Sequence, residues 1–159
     1  MTVLRVVWGS AHAPTAMSAY DAALADANIH NYNLVTVSSV IPAGPPLEAV
    51  GTAPDLGPAG NKLTVVQSKA TLAPGEDGPA VAGIGWARSE SGRGIFYEAS
   101  GDDTARVRET IQDGLAAGRE LRDWEYLEEE TLVREASGSE GAHTALVVCA
   151  VYGESTPLV

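Results

Sequence analysis

The sequence predicts an α+β protein in which one β-sheet packs against another and two helices cover the outside. Seven or so apolar or β-branched segments have the length of strands, and two further segments place apolar residues at helical spacing. The chain has 159 residues, of which 45% are hydrophobic, so it is long enough for one domain with its own core.

The N-terminal part is predicted to form a strand, a helix and a second strand. Residues 3–8 suit a short buried strand. A helix over about 15–28 follows, and residues 32–41 suit a strand because they are rich in β-branched side chains.

A connection rich in proline and glycine comes next. Residues 42–60 contain five prolines and four glycines, which predicts a long irregular segment with room for one short extended piece. A disordered linker between two domains is the alternative, but neither side alone has enough strands for a core. The remaining elements are predicted as strands over 62–72, 79–88, 95–99, 124–134 and 143–152, and as a helix over 104–120.

Acidic side chains dominate the charge, with 21 acidic residues, 10 basic residues and a net charge of −11. Nucleic-acid phosphates and anionic lipid surfaces both require a basic face, so this balance argues against either partner. Only Lys62 and Lys69 are lysines, which favours a protein adapted to concentrated salt, where self-repulsion is screened. An ordinary acidic cytosolic protein, kept soluble by its charge, is the alternative.

The sequence offers little for metal or disulfide chemistry. Cys149 is the only cysteine, which excludes an internal disulfide and a multi-cysteine zinc site, and its apolar neighbours indicate burial. His12 and His30 fall in predicted loops far from His143, so we expect no metal site. No apolar stretch approaches the roughly 20 residues of a membrane span, and the N-terminus lacks a signal peptide's apolar core, so we expect a soluble cytoplasmic protein.

A serine pair is the feature that does not fit a generic domain. Ser38 and Ser39 interrupt an apolar run shortly before Pro42, whereas common catalytic motifs such as GxGxxG, HExxH and GxSxG are absent. The two hydroxyls could simply cap a turn where the strand ends. Alternatively, a strained backbone would let the Ser39 hydroxyl attack the Ser38 carbonyl and convert the amide into an ester.

Such an ester could break down into a cofactor. β-Elimination would free the Ser38 carboxylate and leave dehydroalanine at position 39, and hydrolysis would then give an N-terminal pyruvoyl group and ammonia. A pyruvoyl group reacts with amines and acts as an electron sink, the role that pyridoxal phosphate has in other enzymes.

Four segments carry a combined pattern that covers nearly the whole chain. They are a Gly-Ser and a Tyr-Asp-x-Ala-Leu helix within 9–29, an Asn-x-Asn…Ser-Ser…Pro run within 31–42, a glutamate after an aliphatic strand within 94–101, and a Gly-x-x-x-Arg-x-Trp run at 118–124. Together they resemble the pyruvoyl-dependent arginine decarboxylase family. The resemblance implies a single-domain, four-layer helix–sheet–sheet–helix (αββα) sandwich that forms a homotrimer or a dimer of trimers, with active sites at subunit interfaces.

The resemblance also implies self-cleavage between Ser38 and Ser39. The products would be a β chain of residues 1–38 and an α chain of residues 39–159. Ser39 would become the covalent pyruvoyl cofactor, and Ser38 would become a new C-terminus beside the substrate.

By the same match, Glu98 is the catalytic acid that reprotonates the α-carbon, Asn33 lies beside cofactor and substrate, and Asp21 binds the guanidinium group. The chemistry agrees, because a carbanion needs a proton donor and a guanidinium prefers a carboxylate. The apolar neighbours of Glu98 would favour its protonated form. From the residues alone, Glu98 could instead face solvent on a strand, and Asp21 could lie on an exposed helix face. Ala99-Ser100 replaces a second acidic residue found in the family.

The sequence therefore predicts a decarboxylase that converts L-arginine to agmatine and carbon dioxide, a step that would feed polyamine synthesis. Two alternatives stay open. The same chemistry could act on lysine or ornithine, since Asp21 would accept either cation, or the chain could be an uncleaved, non-enzymatic trimeric sandwich that only binds other molecules.

Overall fold

The computed structural model describes residues 2–159, in which nine strands and two helices are formed. In chain order they are β1 (Leu4–Ala13), α1 (Ala16–Asp26), β2 (Asn33–Thr36), β3 (Val40–Ile41), β4 (Leu47–Gly51), β5 (Lys62–Leu72), β6 (Ala80–Ser89), β7 (Gly94–Gly101), α2 (Thr104–Glu120), β8 (Tyr126–Ala136) and β9 (His143–Tyr152).

The strands form two sheets that pack face to face. The five-stranded sheet has the order β2-β5-β9-β1-β4, and the four-stranded sheet has the order β3-β7-β6-β8. Three clusters of buried side chains separate four layers: one lies between α1 and the five-stranded sheet, one between the sheets, and one between the four-stranded sheet and α2. The predicted αββα sandwich is therefore confirmed.

Strand β9 lies at the centre of the five-stranded sheet and is buried on both faces. Val147 and Cys149 contact the α1 side, whereas Val148 and Ala150 face the second sheet, which explains the unbroken apolar run in the sequence. Burial raises the pKa of the Cys149 thiol to about 12, so this cysteine is an unreactive core residue, as its neighbours in the sequence predicted.

Helix α2 packs directly on β6, and two positions on that strand are glycine. A Cβ atom at Gly85 would overlap Ile111 and Leu115, and one at Gly83 would crowd Ile111. The helix begins after Asp103, whose carboxylate accepts a hydrogen bond from the Arg106 amide at 3.0 Å. Its apolar face is thus held flat against the four-stranded sheet.

Strand β1 is longer than predicted, and this changes the position of His12. The prediction ended the strand at residue 8, but β9 pairs with β1 continuously as far as Ala13. His12 is therefore in a strand and not in a loop, and its Nδ1 lies 2.8 Å from the Thr144 hydroxyl. Pairing between strands that are far apart in the sequence cannot be recognised from the local sequence.

The strand predicted over 32–41 is in fact two short strands. β2 pairs in parallel with β5, β3 pairs with β7 of the other sheet, and residues 37–39 carry the chain between the sheets. The connection over 42–60 contains one extended piece, β4, which pairs with β1, and it buries Ala53 and Leu56 in the core beneath α1. It is therefore part of the domain and not a linker.

Candidate active site

The serine pair lies where the chain crosses from one sheet to the other. Ser38 is exposed and Ser39 is half-buried. The Val37 N–H donates to the Val65 carbonyl of the five-stranded sheet at 3.1 Å, just before the chain crosses. The Phe96 N–H donates to the Ser39 carbonyl at 2.8 Å, which is the first bond to the four-stranded sheet. Both ends of this crossing are therefore anchored.

Three successive carbonyl groups at the crossing each accept a hydrogen bond from a different donor. The Ser38 oxygen accepts from the Val40 N–H at 3.0 Å, and the Ser39 oxygen accepts from Phe96. The Val40 oxygen accepts from the Tyr152 hydroxyl at 2.9 Å. The bond that would be cut during self-cleavage thus lies in a short stretch of backbone whose carbonyl groups are all hydrogen-bonded.

Tyr152 ends β9 and was not identified from the sequence as part of the site. Its ring meets the Phe96 ring edge-on, with 5.9 Å between the ring centres. Burial, and then the negative charge of Glu98, raises the pKa of Tyr152 to about 12. The hydroxyl therefore keeps its proton at neutral pH and can donate to Val40.

Glu98 lies on β7, near Tyr152. Its side chain points to the same face of the strand as Phe96, toward the gap between the sheets, and its charge acts on Tyr152. In the single chain the side chain is exposed. The apolar surroundings expected from Ile95 and Tyr97 do not form, because those two residues face the α2 side of the sheet.

Asn33 and Asp21 lie apart from the serine pair within one chain. Asn33 begins β2, six residues before Ser39, and its side-chain amide donates to the Gly60 carbonyl at 2.8 Å. Asp21 is exposed on α1, on the outer face of the five-stranded sheet, and makes no side-chain hydrogen bond or ion pair within residues 2–159. A single chain therefore does not bring all the predicted site residues together.

A cavity of about 400 Å³ opens beside the serine pair. Ser38 and Ser39 form one wall, and the C-terminal half of α2 forms the other. The lining is mainly apolar, and Arg122 is the only charged residue in it. Its guanidinium donates to the Gly118 carbonyl at 2.9 Å and lies 5.7 Å from the ring centre of Trp124. The cavity thus adjoins Ser39, but Glu98 faces the other side of β7 and is not part of its lining.

These residues fit the formation of a pyruvoyl group at position 39. The hydroxyl of Ser39 is adjacent to the Ser38 carbonyl by covalent structure, and that carbonyl already accepts a backbone hydrogen bond. Position 39 also faces the cavity, where a substrate amine could approach. Within residues 2–159, no group of three His, Cys, Asp or Glu side chains is placed to hold a metal ion.

The chain combines an αββα sandwich with a serine pair where the backbone crosses between the two sheets. A known protein family shows the same combination of sequence features. Residues 3–157 match the family model described as pyruvoyl-dependent arginine decarboxylase. The chain therefore belongs to the pyruvoyl-dependent arginine decarboxylase family, as its sequence pattern predicted.

One known relative covers nearly the whole chain, and two others cover about three quarters of it. A protein of Halobacterium salinarum named pyruvoyl-dependent arginine decarboxylase is 49% identical over 160 residues, which span 99% of this chain and 98% of that protein. Proteins of the same name from Thermococcus sibiricus and Methanocaldococcus jannaschii are 34% and 30% identical, over 79% and 76% of this chain and 79% and 72% of their own lengths. Neither helix within residues 2–159 is long and apolar enough to cross a membrane.

Proposed function

We propose that this protein converts L-arginine to agmatine and carbon dioxide, using a pyruvoyl group that it makes from Ser39 by cutting its own chain after Ser38. The family match over nearly the whole chain carries the proposal. The anchored serine pair beside a cavity supports it, because both the cut and the reaction need that geometry. We assign the reaction to the cytoplasm, where free amino acids are available.

Each site residue has a defined task in this proposal. The pyruvoyl carbonyl supplies the electron sink that decarboxylation requires. Glu98 then donates a proton to the α-carbon of the substrate, from the side of the gap between the sheets. Asp21 binds the guanidinium group, Asn33 orients the substrate near the cofactor, and Ser38, as a new C-terminus, lies beside the substrate.

A complete site requires more than one copy of the chain. Asp21 and Asn33 belong to the α1 and β2 side of the molecule, whereas Ser39 and Glu98 belong to the β3 and β7 side. A trimer, alone or paired as a dimer of trimers, would bring one copy's Asp21 to another copy's Ser39. Val35 and Val40 near the crossing are 41% and 48% exposed, which is the kind of apolar surface that such an interface buries.

The intact mass of the purified protein tests the proposal directly. We expect two chains of 38 and 121 residues, and we expect the larger one to resist Edman sequencing because a pyruvoyl group blocks its N-terminus. The same preparation should release carbon dioxide from arginine. An intact chain of 159 residues without decarboxylase activity would instead favour a binding module with the same fold.

Replacing Asp21 with Asn tests the choice of substrate. In the proposed subunit interface the contact of Asp21 with the guanidinium would be buried. Losing one partner of a buried, charged hydrogen bond costs about 2–5 kcal/mol, so kcat/KM for arginine should fall by about one to three orders of magnitude. Most of the loss should appear in KM, because the guanidinium contact is the same in the ground and transition states. Rates with arginine, lysine and ornithine at one salt concentration provide the measurement.

The matched control for this variant is Asp113→Asn. Asp113 is an exposed carboxylate on α2, and its replacement makes the same change in net charge without touching the proposed pocket. A native preference for lysine or ornithine would contradict arginine as the substrate. Equal kinetics for the Asp21 and Asp113 variants would contradict the role of Asp21.

A further inference from the structure

We propose that the backbone N–H of Val40 stabilises the oxyanion that forms on Ser38 during self-cleavage, and that Tyr152 is the positioning residue that holds this donor in place. The inference rests on the proposed function, since it concerns the cut after Ser38. It assigns two further groups, the Val40 N–H and the Tyr152 hydroxyl, to the formation of the cofactor.

The first step of the cut creates negative charge at one defined atom. The Ser39 Oγ–H bond breaks and a new bond forms from Oγ to the Ser38 carbonyl carbon, so that the carbonyl electron pair moves onto the Ser38 oxygen. When that pair returns, the Ser38–Ser39 C–N bond breaks, and the proton lost from Oγ ends on the freed amine of residue 39. A donor aimed at the Ser38 oxygen therefore lowers the barrier.

The Val40 N–H already points at that oxygen, at an N···O distance of 3.0 Å. The peptide group that carries this N–H is held from its other side, because its carbonyl, that of Ser39, accepts a bond from Phe96 at 2.8 Å. Hydrogen bonds at both ends of one peptide group polarise each other, so the Val40 N–H becomes a better donor. The donor is in place before the reaction and needs no rearrangement.

Tyr152 fixes the next peptide group along the chain. Its hydroxyl reaches the Val40 carbonyl from β9, 112 residues further on and in the opposite sheet. The tyrosine ring is itself half-buried and held against Phe96, the residue whose N–H bonds Ser39. Val40 is thus fixed on its N-terminal side by β7 and on its C-terminal side by β9, which sets the direction of its N–H.

Tyr152→Phe removes this one hydroxyl and keeps the ring. We expect self-cleavage to become about 10- to 100-fold slower, less than the 10²- to 10³-fold cost of removing an oxyanion donor outright, because Tyr152 acts only through Val40. The measurement is the decay of the 159-residue chain after a pulse of cell-free synthesis. Thermal unfolding of the uncleaved chain, measured in a Ser39→Ala background, shows whether the variant is folded.

Tyr126→Phe is the matched control. The Tyr126 hydroxyl is buried and has no hydrogen-bond partner in the part of the chain that the structure describes, so its loss should leave the cleavage rate unchanged. A general effect of removing a tyrosine hydroxyl would slow both variants alike and would overturn the positioning role. A native cleavage rate in folded Tyr152→Phe would overturn it as well.

A second variant tests the donor itself. Incorporating the α-hydroxy acid that corresponds to valine at position 40 replaces the N–H with an ester oxygen and leaves the side chain intact. We expect cleavage to slow by about 10²- to 10³-fold. Cleavage at the native rate would overturn the assignment of the Val40 N–H. If the native chain itself is never cut, the proposed function fails. That result differs from cleavage at the native rate in both variants, which would overturn only the roles of the Val40 N–H and Tyr152.

Discussion

Ser39→Ala is expected to leave the chain at its full 159 residues and without any decarboxylase activity. The alanine side chain has no oxygen to attack the Ser38 carbonyl, so neither the cut nor the pyruvoyl group can form. The effect should be complete, because no other hydroxyl in the crossing lies in the same covalent relation to that carbonyl. Intact mass and carbon dioxide release from arginine are the two measurements.

Ser38→Ala provides the control for this experiment. It removes the neighbouring hydroxyl, but it keeps the carbonyl of residue 38 and the Val40 N–H that bonds it. We therefore expect this variant to be cut. Efficient cleavage and decarboxylation in Ser39→Ala would rule out the mechanism, and an uncut Ser38→Ala chain would show that the assignment of the nucleophile is wrong.

The Glu98→Gln variant is expected to form the cofactor normally but to decarboxylate arginine slowly. Glutamine keeps the size and hydrogen bonding of the side chain but has no proton to transfer, so turnover of arginine should fall by about 10²- to 10⁴-fold. Cleavage after Ser38 should proceed, because Glu98 has no part in the acyl shift. Rates of arginine turnover per mole of cleaved chain give the comparison.

Glu130→Gln makes the same change at an exposed position on β8 and should leave turnover unchanged. A normal rate in Glu98→Gln would mean that another group donates the proton. Tyr152 would then be the first residue to examine, since the charge of Glu98 acts on it and it lies against Phe96.

Much of the fold could be predicted because local patterns and tertiary burial agree. The apolar run over 143–152 predicted a strand, and β9 is the strand buried on both faces. The helical spacing of apolar residues over 104–120 predicted α2, and Val107, Ile111 and Leu115 are its buried face. The division of 32–41 into β2 and β3 could not be foreseen, because it depends on β5 and β7 pairing with its two ends.

The candidate site was predictable only where residues adjacent in sequence act together. Ser38 and Ser39 are neighbours, so their chemistry could be inferred without a structure. Tyr152 could not be placed there, because its contact with Val40 joins opposite ends of the chain across two sheets. Only its position at the end of an apolar strand, with a hydroxyl that needs a partner, hinted at such a contact.

The position of the proposed cut within the sheet order would have a consequence for how the protein folds. Residues 1–38 supply β1 and β2, and these occupy separate places in the five-stranded sheet, with β5 and β9 between them. If the chain is cut after Ser38, the unfolded state would be two independent molecules, so refolding would become a second-order process that depends on protein concentration. The uncut chain would therefore be the species suited to fold, and the cut protein would be held together by interleaved strands whose separation is difficult to reverse.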